Sequence, residues 1–492
     1  MKKHFSPPRR AFLQKSAAGA AALMAAHMVP GRVLGKTAAA TQVTEGIDNL
    51  RVVYCKDAAM IKTGTAVNWM ASDPTVSMKQ QNDAANGAAI QANLDKMATA
   101  LAQKETAVEA WRAILRKPPS KDWGQVKAAI KINALGCNHP RIAIAGKICD
   151  VLVTLGVAEQ NITVYDGIIS FDGMSGNCSA TNLFGGFKGK GLPPNAVVSN
   201  GGETFSLPLS VGTGTCTTIA RDADIIINIA VNKSHNFNCG GFTLTIKNHL
   251  GTVFSNWSGN RPCPVSPETL FRFFTTPMIT GTPDFVQGIP SKQQLCIVDS
   301  LWASASGGDP WSAPDCSPGF LVMGTFSPAV DYLTVKKLRE GMMSAQHNAT
   351  YVNRLMTDFG YTQTDMTDVL TKKPEDIGGK GWVDALAWVT PVLPRQHTDA
   401  EQTAFEIRTT GPVFGRTGVH IDIRGREEIK SVSIVDPAGS LLWRAPLLPR
   451  QGNTLTVDWD ARLPNGKPAA ACAYECVVRG AASVASRQFI IR

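Results

Sequence analysis

Two lysines, a histidine and several amide-bearing residues crowd the middle of this chain: Asn232, Lys233 and His235, then Gly240 and Gly241, then Lys247 and Asn248. A lysine ammonium is a compact point charge, and glycine amides clear of side chains can form a nest for an anion. The set therefore fits a phosphate or a carboxylate. His235 adds an imidazole that titrates near neutrality, which suits a general base or a metal ligand. His235, Lys233 and Lys247 are the candidate catalytic residues; Asn232, Asn248, Gly240 and Gly241 are candidates for holding the ligand. The competing reading is structural, with the lysines paired to Asp222, Asp224 and Asp299.

Other chemistries find less support. His235 and Cys239, joined by His249 or by Cys137 and His139, would make a mixed His/Cys metal site, but a tetrahedral site needs three or four converging ligands. A His-x-x-x-Cys spacing does not supply them, so metal and cofactor stay unassigned. The chain has no Gly-x-Ser-x-Gly and no Gly-x-Gly-x-x-Gly after a strand, and residues 211–215 lack the lysine of a phosphate-binding loop. The eleven cysteines form no Cys-x-x-Cys pair and lack iron–sulfur spacing. Their pairing cannot be read from sequence.

The elements that must position these residues follow a regular alternation. The apolar run 225–229 (Ile-Ile-Ile-Asn-Ile) reads as an inner strand of a parallel sheet. Further strands are expected at 50–54, 126–132, 162–165, 295–298 and 320–324. Helices are expected at 84–103, 108–115, 144–155 (closed by Gly156), 329–342 and 348–359, with a short one opening at Ser266-Pro267-Glu268. Strands alternating with helices indicate an α/β fold: a mostly parallel sheet covered by helices. Ligands in such sheets sit outside the carboxyl ends of the strands. Asn133, Asp166, Asn232-Lys233 and Asp299 all stand at such ends, which adds Asn133 and Asp299 to the candidate ligand-binding residues. Residues 167–218, rich in Gly, Asn and Ser, read as a long excursion from the sheet.

The two ends of the chain differ from this middle. Residues 1–40 carry seven of the 49 basic residues and no acid. Arg9-Arg10-Ala11-Phe12-Leu13, a mild apolar stretch and Ala38-Ala39-Ala40 follow the layout of an export signal. Without that segment the formal net charge falls from +10 to +3. No basic stripe with interleaved aromatics remains, so there is no electrostatic footprint for nucleic acid. No run of 18 apolar residues suggests a permanent membrane span. Residues 373–404 read as a linker. From 405 to 492, short alternating strands at 419–423, 429–435, 441–443, 455–459, 473–478 and 488–491 suggest a small β-sandwich.

Three resemblances sharpen this outline. The paired arginines resemble a twin-arginine signal, although Pro8 and Gln14 depart from its pattern; that implies use of the twin-arginine export machinery and a periplasmic location. The pattern from Ser431 to Arg444, followed by Val457-Asp458-Trp459-Asp460 and Asn465-Gly466-Lys467, resembles the immunoglobulin-like module of hook-capping (FlgD-like) proteins. That module implies contact with a protein partner rather than chemistry. Asp222, Asp224, the 225–229 strand, Lys233-Ser234-His235 and Lys247-Asn248-His249-Leu250-Gly251 are similar to the hallmark of the domain of unknown function 362 family, within an α/β domain spanning 41–372. The family implies a fold more firmly than a reaction. The sequence thus points to an exported α/β protein that binds or acts on a small anionic ligand. The alternative is a non-catalytic periplasmic binding or assembly protein that uses its C-terminal sandwich for partner contact.

Overall fold

The computed structural model describes residues 42–167, 178–209, 212–237, 240–254, 292–306 and 313–388, and, further on, 405–410, 419–425, 428–435, 441–445, 454–462, 473–480 and 484–490. The export signal, Cys239, the short helix expected at residue 266 and the Asn465-Gly466-Lys467 turn lie outside these residues.

The main sheet has eight strands: β1 (Arg51–Lys56), β2 (Ala128–Lys131), β3 (Ile162–Tyr165), β4 (Val197–Ser199), β5 (Ile225–Val231), β6 (Gln293–Ser300), β7 (Phe320–Gly324) and β8 (Gly381–Asp384). Their spatial order is β8-β1-β7-β6-β5-β2-β3-β4. Every pairing is parallel except those of β7, which runs against both β1 and β6. The mostly parallel sheet expected from sequence is therefore present. β5 is central and all seven of its residues are buried, which explains a run of β-branched residues with no polar alternation. Each fully buried isoleucine there stabilises the fold by about 1.5–3 kcal/mol.

Alternation along the strands feeds two cores. Ile225, Ile227, Ile229, Leu295 and Ile297 face helices α1 (Pro74–Ala84), α2 (Gly87–Ala102), α3 (Ala107–Ile114) and α4 (Ile142–Leu155). Ile226, Cys296, Val298 and Val322 face the opposite layer. That layer is built from α5 (Ser327–Leu333), α6 (Ala349–Thr357) and α7 (Gln363–Thr371). Gly156 ends α4 at φ 108°, the left-handed cap that its position foretold.

Two departures from the sequence reading concern the sheet edges. Gly381–Asp384, inside the span read as linker, is edge strand β8, with Val52 opposite Trp382 and Tyr54 stacked on Trp382 at 4.9 Å. Gly378 and Gly379 just before it, Gly381 as its first residue, and its shortness hide a strand from pattern reading. The excursion after β3 returns β4 to the other edge, and residues 204–209 and 212–217 pair as a separate antiparallel ribbon.

The C-terminal residues form a small antiparallel β module. One sheet orders β9 (Phe405–Thr410), β10 (Val419–Gly425) and β13 (Thr454–Trp459). The other orders β12 (Leu441–Arg444), β11 (Ile429–Val435), β14 (Ala473–Gly480) and β15 (Val484–Ile490). Its core, around Ile421, Val432, Trp459 and Tyr474, is separate from the two cores of the main sheet. No helix among the described residues is long and apolar enough to cross a membrane.

Candidate functional site

Strands β2, β3, β5 and β6 are mutually parallel, so their carboxyl ends share one edge. Asn133, Asp166, Asn232-Lys233 and Asp299 come together there, as their positions after the strands predict. All are buried. The structure sorts the expected site residues into two groups rather than one.

The first group surrounds Lys233. Its Nζ donates to Asn133 Oδ1 at 2.7 Å and to the Leu135 carbonyl. Neither acceptor is charged. Burial lowers the ammonium to about 8, with Cys137 and Asp166 opposing that shift and Arg141 adding to it. Neighbouring Lys131, also fully buried, is held differently: its Nζ is 3.0 Å from Asp166 Oδ1, 2.6 Å from the Ile132 carbonyl and 3.4 Å from Asn248 Oδ1. Asp166 spends its other oxygen on the Ala134 amide at 2.7 Å.

Asp299 is committed to the start of α4. Its Oδ2 accepts from the Arg141 amide at 2.8 Å and pairs with Arg141 Nε at 3.2 Å, while Oδ1 accepts from the Leu301 amide. Arg141 is the residue before the helix and has no local side-chain cap. Asp299, and Asn82 Oδ1 on the Ile142 amide at 2.7 Å, supply that cap from other elements. A carboxylate at a helix N-terminus is favoured by the helix dipole as well as by the bond. His139 is wholly buried and feels the charges of both Lys233 and Arg141 and the backbone of Asn133. Burial, then the charges of Lys233 and Arg141, push its basicity far down, so the ring is neutral.

The second group surrounds Lys247. Its Nζ lies over the rings of Phe242 and Tyr351, at 5.9 and 5.7 Å. Burial lowers it well below an ordinary lysine, against the pull of Asp331. Asp331, on α5, accepts from the Thr245 amide and hydroxyl at 2.8 and 2.6 Å and from the Ile246 amide at 2.9 Å. Burial nevertheless raises its carboxyl to about 7. His235 lies on this side as well. Burial, then Lys247, lowers it to about 3, and its Nδ1 accepts from the Asn236 amide at 2.8 Å. A neutral ring whose acceptor nitrogen is already engaged is a poor general base.

The remaining candidates also have partners. Asn248 donates to Asn228 Oδ1 at 2.8 Å and to the Ile229 carbonyl at 3.1 Å. Asn232 donates to Ser300 Oγ at 2.9 Å and accepts from Arg339 Nη1 at 2.5 Å. Gly240 and Gly241 lie at φ 98° and 85°, but their amides donate to the carbonyls of Phe237 and Asn236. Those bonds close the loop and withdraw both amides from an anion nest. The ion-pair network that would have explained the lysines structurally is not formed: Asp222 pairs with Arg221, Asp224 with Lys121, and Asp299 with Arg141.

Arg141, Arg339 and Lys131 carry much of the site's charge, and composition alone did not single them out as a set. Lys131 breaks the apolar pattern of β2, and that was the one available signal. No cluster of His, Cys, Asp or Glu among the described residues is arranged to hold a metal. A cleft of about 220 Å3 lined by Lys127, Gln160, Asn161, Thr218 and Asp222 opens at the amino ends of β2 and β3, the opposite edge from this chemistry.

Comparison with known proteins bears on the same region. No curated protein matches the chain. A crystal structure of dimeric latent PorU from Porphyromonas gingivalis is similar over 18% of this chain and 9% of its own, at 20% identity and a TM-score of 0.15. The chain thus spans under a tenth of that structure's length, and the likeness carries no argument. Residues 128–336 match the family model described as Domain of unknown function (DUF362). Those residues hold β2 to β7, Lys233, Lys247 and Asp299, and they are a DUF362-family domain.

Proposed function

We propose that the carboxyl edge of the main sheet binds a small anionic ligand, with Lys233 as its counter-charge. One observation carries this reading: the Lys233 ammonium is buried on two neutral oxygens and forms no ion pair among the described residues. An ammonium has three N–H donors, and two are taken here. A buried charge without a partner is costly, which is the usual reason such groups are paired. An anion beside Lys233 would meet the third donor and the charge together. Asn133 orients the ammonium, Lys131 and Arg141 are already balanced by Asp166 and Asp299 and leave Lys233 as the counter-charge, and neutral His139 can donate or accept one further hydrogen bond. Lys247 and His235 support the neighbouring loop and stand one step back from the ligand.

Calorimetric titration of the full-length protein with inorganic phosphate and with citrate tests this. At least one probe is expected to bind, and Lys233→Met to weaken it about tenfold or more, the equivalent of about 1.4 kcal/mol. Lys79→Met, which alters an exposed lysine, is expected to leave binding unchanged. The reading fails if neither probe binds, or if Lys233→Met binds as tightly as wild type.

Export to the periplasm through the twin-arginine route belongs to the same proposal. It is supported by Arg9-Arg10-Ala11-Phe12-Leu13 and the small residues at 38–40. Replacing both arginines with lysine is expected to retain the protein in the cytoplasm, read by cell fractionation. Unchanged export of that variant would overturn it.

A further inference from the structure

Two cysteines approach Lys233 from separate chain segments. Cys137 lies in the loop after β2, and Cys178 leads into the short helix Ala180–Phe184. The Cys178 Sγ is 4.0 Å from the Gly136 carbonyl oxygen, one residue from Cys137. Both are half-buried, whereas Cys55, Cys149, Cys216, Cys296 and Cys476 are shut inside the cores. Burial raises both thiols, Lys233 pulls both back, and Cys178 also senses Cys137. Burial outweighs the lysine, so both thiols lie above an ordinary cysteine, and Lys233 offsets part of the cost of forming the reactive thiolate.

We propose that Cys137 and Cys178 form a redox pair that closes to a disulfide by exchange with a small-molecule disulfide such as oxidised glutathione. One thiolate attacks a sulfur of oxidised glutathione, forming a protein–glutathione bond and expelling one glutathione thiolate. The second cysteine, deprotonated, then attacks the protein sulfur and expels the other glutathione. Two protein thiols are oxidised by two electrons, one glutathione disulfide becomes two thiols, and the two protons from the cysteines end on glutathione. The Cys178 Sγ thus lies beside the residue that precedes Cys137, which places the two thiols in one neighbourhood, and the exchange would draw them to bonding distance. The bond would tie the loop after β2 to the return of the excursion after β3, next to the Lys233 ammonium. This inference rests on the two thiols and stands whether or not an anion binds.

The test uses full-length native protein incubated with oxidised glutathione, alkylated, digested without reduction and mapped by mass spectrometry. A peptide linking Cys137 to Cys178 is expected, with loss of alkylation at both positions. Cys178→Ser is expected to leave a stable glutathione adduct on Cys137, and Cys137→Ser the reverse. The proposal is overturned if both cysteines carry glutathione without a link, or if either pairs with another cysteine such as Cys239 or Cys316. It is also overturned if both stay alkylatable in the native protein while reacting once unfolded. The wild-type map decides the matter even if a serine variant fails to fold.

Discussion

Lys233 makes a claim about stability as well as about binding. Its folded value of about 8 lies below the 10.5 of an exposed lysine. Between those limits the unfolded chain binds the extra proton, so stability rises as pH climbs from about 8 to about 10.5. A shift of that size corresponds to about 3 kcal/mol. Lys233→Met removes the desolvated charge but leaves Asn133 Oδ1 and the Leu135 carbonyl without their donor, a loss of about 1–3 kcal/mol. The two effects oppose each other at pH 7, so the variant is expected to unfold in urea within about 1–2 kcal/mol of wild type there. Its stability should lack the rise above pH 8. A variant that keeps the rise would move the titrating group elsewhere. Asp299 predicts the contrary behaviour. Asp299→Ala strands the buried Arg141 and uncaps α4, and is expected to cost about 3–5 kcal/mol in the same urea titration. A cost under about 1 kcal/mol would show that Arg141 finds solvent.

Much of the fold is legible at the scale of single elements, for reasons that can be named. The strand at residue 225 announces itself because a central parallel strand is apolar on both faces, and α4 because its cap glycine has no substitute at φ 108°. The candidate site was legible as a set of strand ends, since topology brings the ends of parallel strands to one edge. What could not be read is the split between Lys233 and Lys247. That depends on how Gly240 packs against Tyr351 of α6, and on Asp331 and Arg339, which belong to a helical segment far along the chain. Strand β8 escaped because edge strands are short and less apolar. The loop of Gly240 and Gly241 yields an element-scale prediction. A Cβ on Gly241 would fall 2.8 Å from the Gln346 carbonyl oxygen and 2.9 Å from His347 Cα, at a left-handed φ. A Cβ on Gly64, at φ 76°, would meet nothing within 4 Å. Gly64→Ala should therefore cost about 1 kcal/mol for conformation alone. Gly241→Ala should cost more, about 2–4 kcal/mol, because backbone must also move. Equal melting temperatures for the two variants would remove the close approach as the reason for glycine there.

At the scale of the whole molecule, the cores decide how the chain unfolds. The two cores of the main sheet share its strands, so neither layer can be lost without exposing the other's backing. They are expected to melt together. The C-terminal module buries its own set, with Trp459 fully enclosed and 5.5 Å from the Tyr474 ring. No residue of that set belongs to either main core. Cooperativity follows shared buried contacts, so a separate core permits a separate transition. Calorimetry of the full-length protein is expected to show two transitions. Trp459→Ala empties a large space in the smaller core, where truncations of this kind cost about 3–5 kcal/mol. It should lower or abolish only the transition of the module, while the larger transition, and phosphate or citrate binding at Lys233, stay where they were. A single transition that Trp459→Ala shifts as a whole would mean that the module and the DUF362-family domain unfold as one unit, and deletion of residues 405–492 would then be expected to destabilise the site as well.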